Sequence, residues 1–406
     1  MLLWSLLLLR GIAIGFLLEP PGCFFSGSKR SIGSIKVTSS DSTSCNNRRV
    51  FEPGQILLPS TEEDPTQFDT ACVVNPVVVP PSNSYERWQL YYYGNFGHWK
   101  DGTKGFLPTG WCGLAESDDG IHWTKVVGQR ERGAIFAPSD DPAAWDSVHV
   151  GVNDVLRIGD KELHMYYFGG SSEQVAELGG FTGVRMRIGR AKSSDNGRTW
   201  TRLGMVLDYD ESEGLFASWP RIILESTKAT SDKWQMVYHA YDGSKWRVFG
   251  ATSTDQGESW TRKGLLLEGE ADEESFDFNG IGTRAVAAPW KGGALMIYEG
   301  VNKKGGHSLG AAFCSDATGD GTWEKVGDLD GCSQLGGPIA SPGEGCMKSW
   351  TSTVVGTPYL VPMPDGTLRL YHCGRAGDEG HSIGLQISES GGVSPDCWSP
   401  AIVKQN

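Results

Sequence analysis

Five runs of aromatic and β-branched residues recur along the chain: QLYYYG (89–94), HMYYFGG (164–170), QMVYHA (235–240), LMIYEG (295–300) and RLYHCG (369–374). Such runs read as β-strands, and they place Tyr92, Tyr167, Tyr238, Tyr298 and Tyr371 in one register. Each is followed by a segment that alternates small and apolar positions and ends in a Ser-Asp-Gly turn closed by Trp. These segments are CGLAESDDGIHW (112–123), IGRAKSSDNGRTW (188–200), FGATSTDQGESW (249–260), LGAAFCSDATGDGTW (309–323) and IGLQISESGGVSPDCW (383–398). Period-two alternation ending in Asp/Gly chemistry is a strand entering a tight turn.

A third element precedes each aromatic run at constant spacing. Phe68-Asp69 leads to Pro76, Trp145-Asp146 to Asn153, Ser212-Glu213 to Pro220, Phe276-Asp277 to Arg284, and Trp350-Thr351 to Pro358, always eight residues after the first. Apolar residues follow at 77–79, 155–158, 222–224, 285–288 and 359–361, and residues after the Trp supply a fourth strand. A four-stranded unit repeated five times predicts an all-β fold, a five-bladed β-propeller of four antiparallel strands per blade over 66–403. One blade cannot bury both faces, whereas a closed ring removes most strand edges.

Residues 1–60 read differently. Met1 to Leu18 is apolar but interrupted by Arg10 and ended by Glu19-Pro20-Pro21, short for a spanning helix. Residues 26–49 are Ser-rich and basic, with Asp41 the single acid. That composition predicts a targeting segment and flexible N-terminus of the organelle transit type, with a plastid as the compartment and secretion as the alternative. Nine Cys without CxxC spacing and no Asn-x-Ser/Thr acceptor do not favour a secreted disulfide scaffold, although Cys332 and Cys346 could close a loop in an oxidising compartment. A net charge of −13 argues against nucleic acid or an anionic membrane as partner. No oligomeric state is implied.

Candidate chemistry centres on acids. The second position of the frame holds Asp69, Asp146, Glu213, Asp277 and Thr351. If the frame opens the innermost strand, four carboxylates ring one mouth of the channel, where neighbours raise one another's pKa and allow one acid and one base. The competing reading makes them turn acids that start each strand. Arg221, Arg284 and Arg157 follow closely and could neutralise them, while Trp145, Trp219, Phe276 and Trp350 supply aromatic surface for a sugar. The turns Ser193-x-Asp195-x-Gly197-x-Thr199-Trp200 and Ser253-x-Asp255-x-Gly257-x-Ser259-Trp260 match the Asp-box of sialidases, which reads as turn chemistry rather than catalysis. Gly306 to Gly310 matches G-x-S-x-G, but Gly380 to Gly384 repeats it and a strand follows both, so the match belongs to the repeat. The His residues show no metal-ligand spacing; His239 and His372, each after a repeat Tyr, could share one face.

These residues resemble the five-bladed propeller superfamily of arabinanases, levansucrases and invertases (glycoside hydrolase families 32, 43, 62 and 68) over about 66–400, through unit number, the strand-turn and the Y-x-G strand. The resemblance implies a glycosidase acting on a furanosidic or pentose-containing glycan. Asp69 would be base or nucleophile, Glu213 acid and Asp146 tuner, with Asp277 and Asp154 in reserve; Trp145, Trp219, Arg221, Arg284, Trp350 and His149 would bind substrate. No cofactor is expected, although some relatives hold Ca²⁺ in the channel. In the family the catalytic acid usually stands directly before Pro, whereas here those places hold Asn75, Val152, Trp219, Thr283 and Thr357. The alternative is a catalytically silent propeller that binds carbohydrate or a protein. A sialidase, with six blades and an Arg triad, fits less well.

Overall fold

The computed structural model describes residues 51–403 apart from 62–63, 65, 97–109, 179, 181, 225–232, 327–337, 345–348 and 377–379. Residues 1–50, where the targeting segment is expected, and both Cys332 and Cys346 lie outside the described residues. Among them there is no α-helix, and no helix long and apolar enough to cross a membrane.

The fold is all-β. After the short strand β1 (Gln55–Leu57), four-stranded antiparallel meanders follow in chain order. The first is β2 (Cys72–Val79), β3 (Trp88–Asn95), β4 (Trp111–Ser117) and β5 (Thr124–Val126). The second is β6 (His149–Arg157), β7 (Leu163–Gly170), β8 (Met186–Ser193) and β9 (Thr201–Leu207). The third is β10 (Ser218–Leu224), β11 (Trp234–Tyr241), β12 (Trp246–Ser253) and β13 (Thr261–Glu268). The fourth is β14 (Gly280–Trp290), β15 (Gly293–Val301), β16 (His307–Cys314) and β17 (Trp323–Val326). The last is β18 (Val354–Pro362), β19 (Leu368–Arg375), β20 (Ser382–Ser388) and β21 (Trp398–Pro400).

The first strands of the meanders touch in a cycle: β2 meets β6, β6 meets β10, β10 meets β14, β14 meets β18, and β18 returns to β2. The apolar core follows the same cycle, with one buried cluster between each meander and the next. The cluster between the last and the first contains Tyr371, Ile383 and Leu385 against Phe68, Val73, Leu90 and Tyr92. The same contact recurs at three of these seams: a second-strand Tyr docks on the Ser-x-Asp turn of the following meander. Tyr91 meets Trp200, Tyr166 meets Trp260 and donates to the Gly257 carbonyl, and Tyr371 donates to the Gly120 carbonyl of the first meander. The turn is built by its Asp: Asp195 accepts from the Arg198 and Thr199 N–H groups and from the Ser193 and Thr199 hydroxyls. Gly197 at φ +83° is demanded by that turn, and Tyr91 leaves no room for a Cβ there.

Two sequence expectations change. The predicted N-terminal segment 1–60 runs too far, because β1 pairs with β20 and shares its edge with β21, so the two chain ends jointly complete the last meander. Trp350 Nε1 donates to the Pro53 carbonyl at 2.9 Å, fixing the same strap. The Tyr register is also one residue off in the last unit. His372, not Tyr371, takes the place of Tyr92, Tyr167 and Tyr298, for its ring stacks on Trp350 as theirs stack on Phe68, Trp145 and Phe276. Gly374 marks that register; the sequence Tyr-His-Cys-Gly simply lacks a Tyr two places before its Gly. His239 and His372 therefore do not occupy equivalent positions. The G-x-S-x-G serines sit on β16 and at the start of β20, within the strands themselves.

Candidate functional site

Each frame acid is bound inside its own meander. Asp69 accepts from the Tyr92 hydroxyl at 2.9 Å and pairs with Lys125 at 2.6 Å. Asp146 accepts from Tyr167 at 3.0 Å and Arg202 at 2.7 Å. Glu213 does so from Tyr238 and Arg262, and Asp277 from Tyr298 and Lys325. The cation always lies two residues after the turn Trp, on the fourth strand, and reaches back across the sheet. The Gly of the Y-x-G strand permits this: a Cβ on Gly94 would stand 2.6 Å from the Asp69 Cβ, and one on Gly300 would be 2.8 Å from that of Asp277. The frame aromatics Phe68, Trp145, Phe276 and Trp350 lie over the third-strand glycines 113, 189, 310 and 384.

The last meander is the control. There the acid is Thr351, the Tyr position is His372, and the cation position is Pro400. Acid, hydroxyl and cation disappear together, as expected of members of one tie and not of separately recruited catalytic groups. The structure therefore does not bring Asp69, Asp146, Glu213 and Asp277 into one pocket. Trp145 and Trp350 belong to the same packing, stacked on Tyr167 and His372. Glu213 does border a surface cavity of about 520 Å³ with Glu177, Arg185, Glu211, Asp242 and Arg247.

The other predicted residues do converge on the axis. A β-bulge interrupts each first strand at the end of the frame. Three bulge residues, all directly before Pro, are left-handed: Asn75 at φ 55°, Trp219 at 51° and Thr357 at 44°. For a bulky or β-branched residue that conformation persists only where the surroundings impose it, and bulges re-aim side chains. Trp219 is held between Phe168 (4.2 Å between centroids) and His239 (5.1 Å). His149 sits edge-on to Phe168 and meets the Gly183 carbonyl through Nε2 at 2.7 Å; burial holds its pKa down to about 4. Asp154 accepts from the Ile222 N–H at 2.7 Å and from the Tyr359 hydroxyl at 3.4 Å. Burial raises Asp154 above the usual carboxylate range despite the nearby Arg221. Arg221 lies over the Tyr359 ring and donates to the Arg284 carbonyl, and Arg284 donates to the Trp219 carbonyl.

One group escaped the sequence reading. With the register corrected, the residue after the Tyr position is Tyr93, Phe168, His239, Glu299 and Cys373 in turn. Only one of these is a carboxylate. Glu299 Oε1 meets His307 Nδ1 at 2.5 Å, while Oε2 accepts from the Thr283 hydroxyl and, at 3.1 Å, from the Thr357 N–H. Burial alone would raise its pKa; the hydrogen bonds from His307, Thr283 and Thr357 outweigh it and hold the carboxyl below its ordinary range. Gly356 leaves the room that Glu299 occupies. His381, close enough to feel the charges of Arg375, His307 and Glu299, is pushed down to about 3 mainly by burial. Thr283 and Thr357 are both bulge residues, so the bulges of β14 and β18 serve this carboxylate directly. Among the described residues no group of three or more His, Cys, Asp or Glu is arranged to hold a metal ion.

No protein-family profile and no curated protein sequence matches the chain. Solved structures do match in fold. A β-1,2-mannobiose phosphorylase from Listeria innocua superimposes with a TM-score of 0.56 at 14% identity, covering 81% of this chain and 93% of the other. A glycosyl hydrolase from Bacteroides ovatus gives 0.53 at 17% identity, covering 87% and 95%. An α-L-arabinofuranosidase from Lactobacillus brevis gives 0.52 at 15% identity, covering 79% and 93%. The fold is thus the propeller found in glycoside-processing enzymes.

Proposed function

We propose that the five meanders are the blades of a closed five-bladed propeller, and that the chain processes a glycan at the axial mouth beside Glu299 and His307. The observation that carries this reading is the Glu299–His307 pair: the one carboxylate at the axis-facing second-strand position, joined to an imidazole that keeps slight exposure. A carboxylate on Nδ1 fixes the ring orientation, leaving Nε2 to exchange a proton with a glycosidic oxygen. Asp154, the other axial carboxylate, is held by the Ile222 and Val155 N–H groups and the Tyr359 hydroxyl, so the attacking nucleophile is water or another small molecule. A furanosidic or pentose-containing glycan is the first substrate class to examine, given the likeness to an arabinofuranosidase, and a β-mannoside the second.

The test is product release from a panel of such glycosides, with and without inorganic phosphate. Glu299→Gln should lower kcat/KM by about 10²-fold or more when assayed at a temperature where the variant stays folded, since loss of a buried charge that holds hydrogen bonds from His307, Thr283 and Thr357 also costs stability. Full turnover in Glu299→Gln would refute the assignment. A second reading, a carbohydrate-binding propeller without catalysis, is favoured by the absence of an acid before Pro at Asn75, Trp219 and Thr357 and by the engagement of every frame acid in a tie. Glycan binding by calorimetry with no product from any substrate would select it.

A further inference from the structure

Arg221 and Arg284 stand together on the axis and are 3% and 1% exposed. Arg221 Nε donates to the Arg284 carbonyl at 2.8 Å and its Nη2 to the Pro358 carbonyl at 3.3 Å; Arg284 Nη2 donates to the Trp219 carbonyl. Three further guanidinium nitrogens, Arg221 Nη1, Arg284 Nε and Arg284 Nη1, are buried with no hydrogen-bond partner among the described residues. The charge count is equally open. Asp154 is the carboxylate of this group, and its oxygens already serve the Ile222 and Val155 N–H groups and the Tyr359 hydroxyl. His239 adds no positive charge, since burial and then the Arg284 charge hold its imidazole well below the ordinary range. Guanidinium does not give up its proton in proteins, so among the described residues of this group two cations face one anion where water has little access. A buried charge without a counter-charge is strongly disfavoured.

We propose that Arg221 and Arg284 hold one small monovalent inorganic anion of the chloride class on the axis, bound through those three N–H groups. The charge excess of one sets its valence, and the burial of both side chains sets its size. Such an ion braces the bulged strands β10 and β14 against each other, behind Glu299, and this role stands whether or not the chain acts on a glycan.

The experiment uses the full chain exchanged into gluconate buffer and titrated with sodium chloride, bromide or nitrate at constant ionic strength. The unfolding midpoint should rise with the logarithm of halide concentration once that exceeds the dissociation constant, by about 4 °C at a 100-fold excess. Arg284→Met should abolish that rise. No rise with any of these anions, an equal response in Arg284→Met, or a rise with sulfate or phosphate alone would overturn the proposal. Should Arg284→Met fail to fold, crystals of the parent protein soaked in bromide decide the matter. One anomalous peak between Arg221 and Arg284 is expected, and an axis without a peak refutes the site.

Discussion

Asp146→Asn separates a structural tie from a catalytic acid. The amide keeps the shape of the side chain but loses the charge that draws the Tyr167 hydroxyl at 3.0 Å and Arg202 Nε at 2.7 Å. Hydrogen bonds to a charged group contribute about 1.5–3 kcal/mol each. The Arg202 side chain is 25% exposed, so solvent recovers part of its share; the expected loss is about 2–3 kcal/mol. Arg202→Met should cost more, about 3–5 kcal/mol, because it leaves a carboxylate that is only 2% exposed facing a single hydroxyl. The double variant removes both members, as the last meander does with Thr351 and Pro400, and should recover about 1–3 kcal/mol of the summed losses. Urea unfolding followed by Trp fluorescence measures all three. Losses that add to within about 0.5 kcal/mol, or an Asp146→Asn variant as stable as the parent, would refute the tie.

Other consequences are equally direct. The buried imidazoles of His149 and His372 titrate near 4 and that of His381 near 3, against an ordinary value of 6.5. The unfolded chain takes up these protons below pH 6.5 and the folded one does not. Stability should therefore fall as the pH drops from 6.5 towards 4, by at most about 3 kcal/mol per histidine, and His149→Gln should flatten part of that slope in denaturant titrations. Gly169→Ala would drive a Cβ into Asp146 and the Trp145 ring and should cost about 1–3 kcal/mol by urea unfolding, with no repair from solvent-exposed changes. Ser308→Ala should leave any glycosidase turnover intact, since that serine only occupies the second position of β16.

The fold was readable because its repeats are written by packing. The nine-residue frame, the aromatic strand and the turn closed by Trp each mark one contact within a meander or with its neighbour, and their recurrence makes the pattern visible. That same periodicity misled the site reading. A residue repeated in four units is repeated because every unit needs it, so Asp69, Asp146, Glu213 and Asp277 stood out for a structural reason. The chemistry proposed for the axis rests on what differs between equivalent positions: Glu299 where others carry Tyr93, Phe168, His239 and Cys373. Glu299 stands directly after the repeat Tyr298, so comparing that one position across the units exposes it. Asp154, Trp219, Arg221 and Arg284 were identifiable from their place just past the frame, but the bulges that turn them inward depend on contacts between strands far apart in sequence, such as the Asn75 side-chain amide on the Val152 carbonyl.

The central division, ties within blades and chemistry on the axis, is tested most directly by measuring glycan turnover and unfolding free energy together in Glu299→Gln and Asp69→Asn. The account predicts that both variants lose stability, and that at a temperature where both stay folded Glu299→Gln loses turnover while Asp69→Asn keeps it. The reverse pattern, an inactive but fully stable Asp69→Asn beside an active Glu299→Gln, would contradict it.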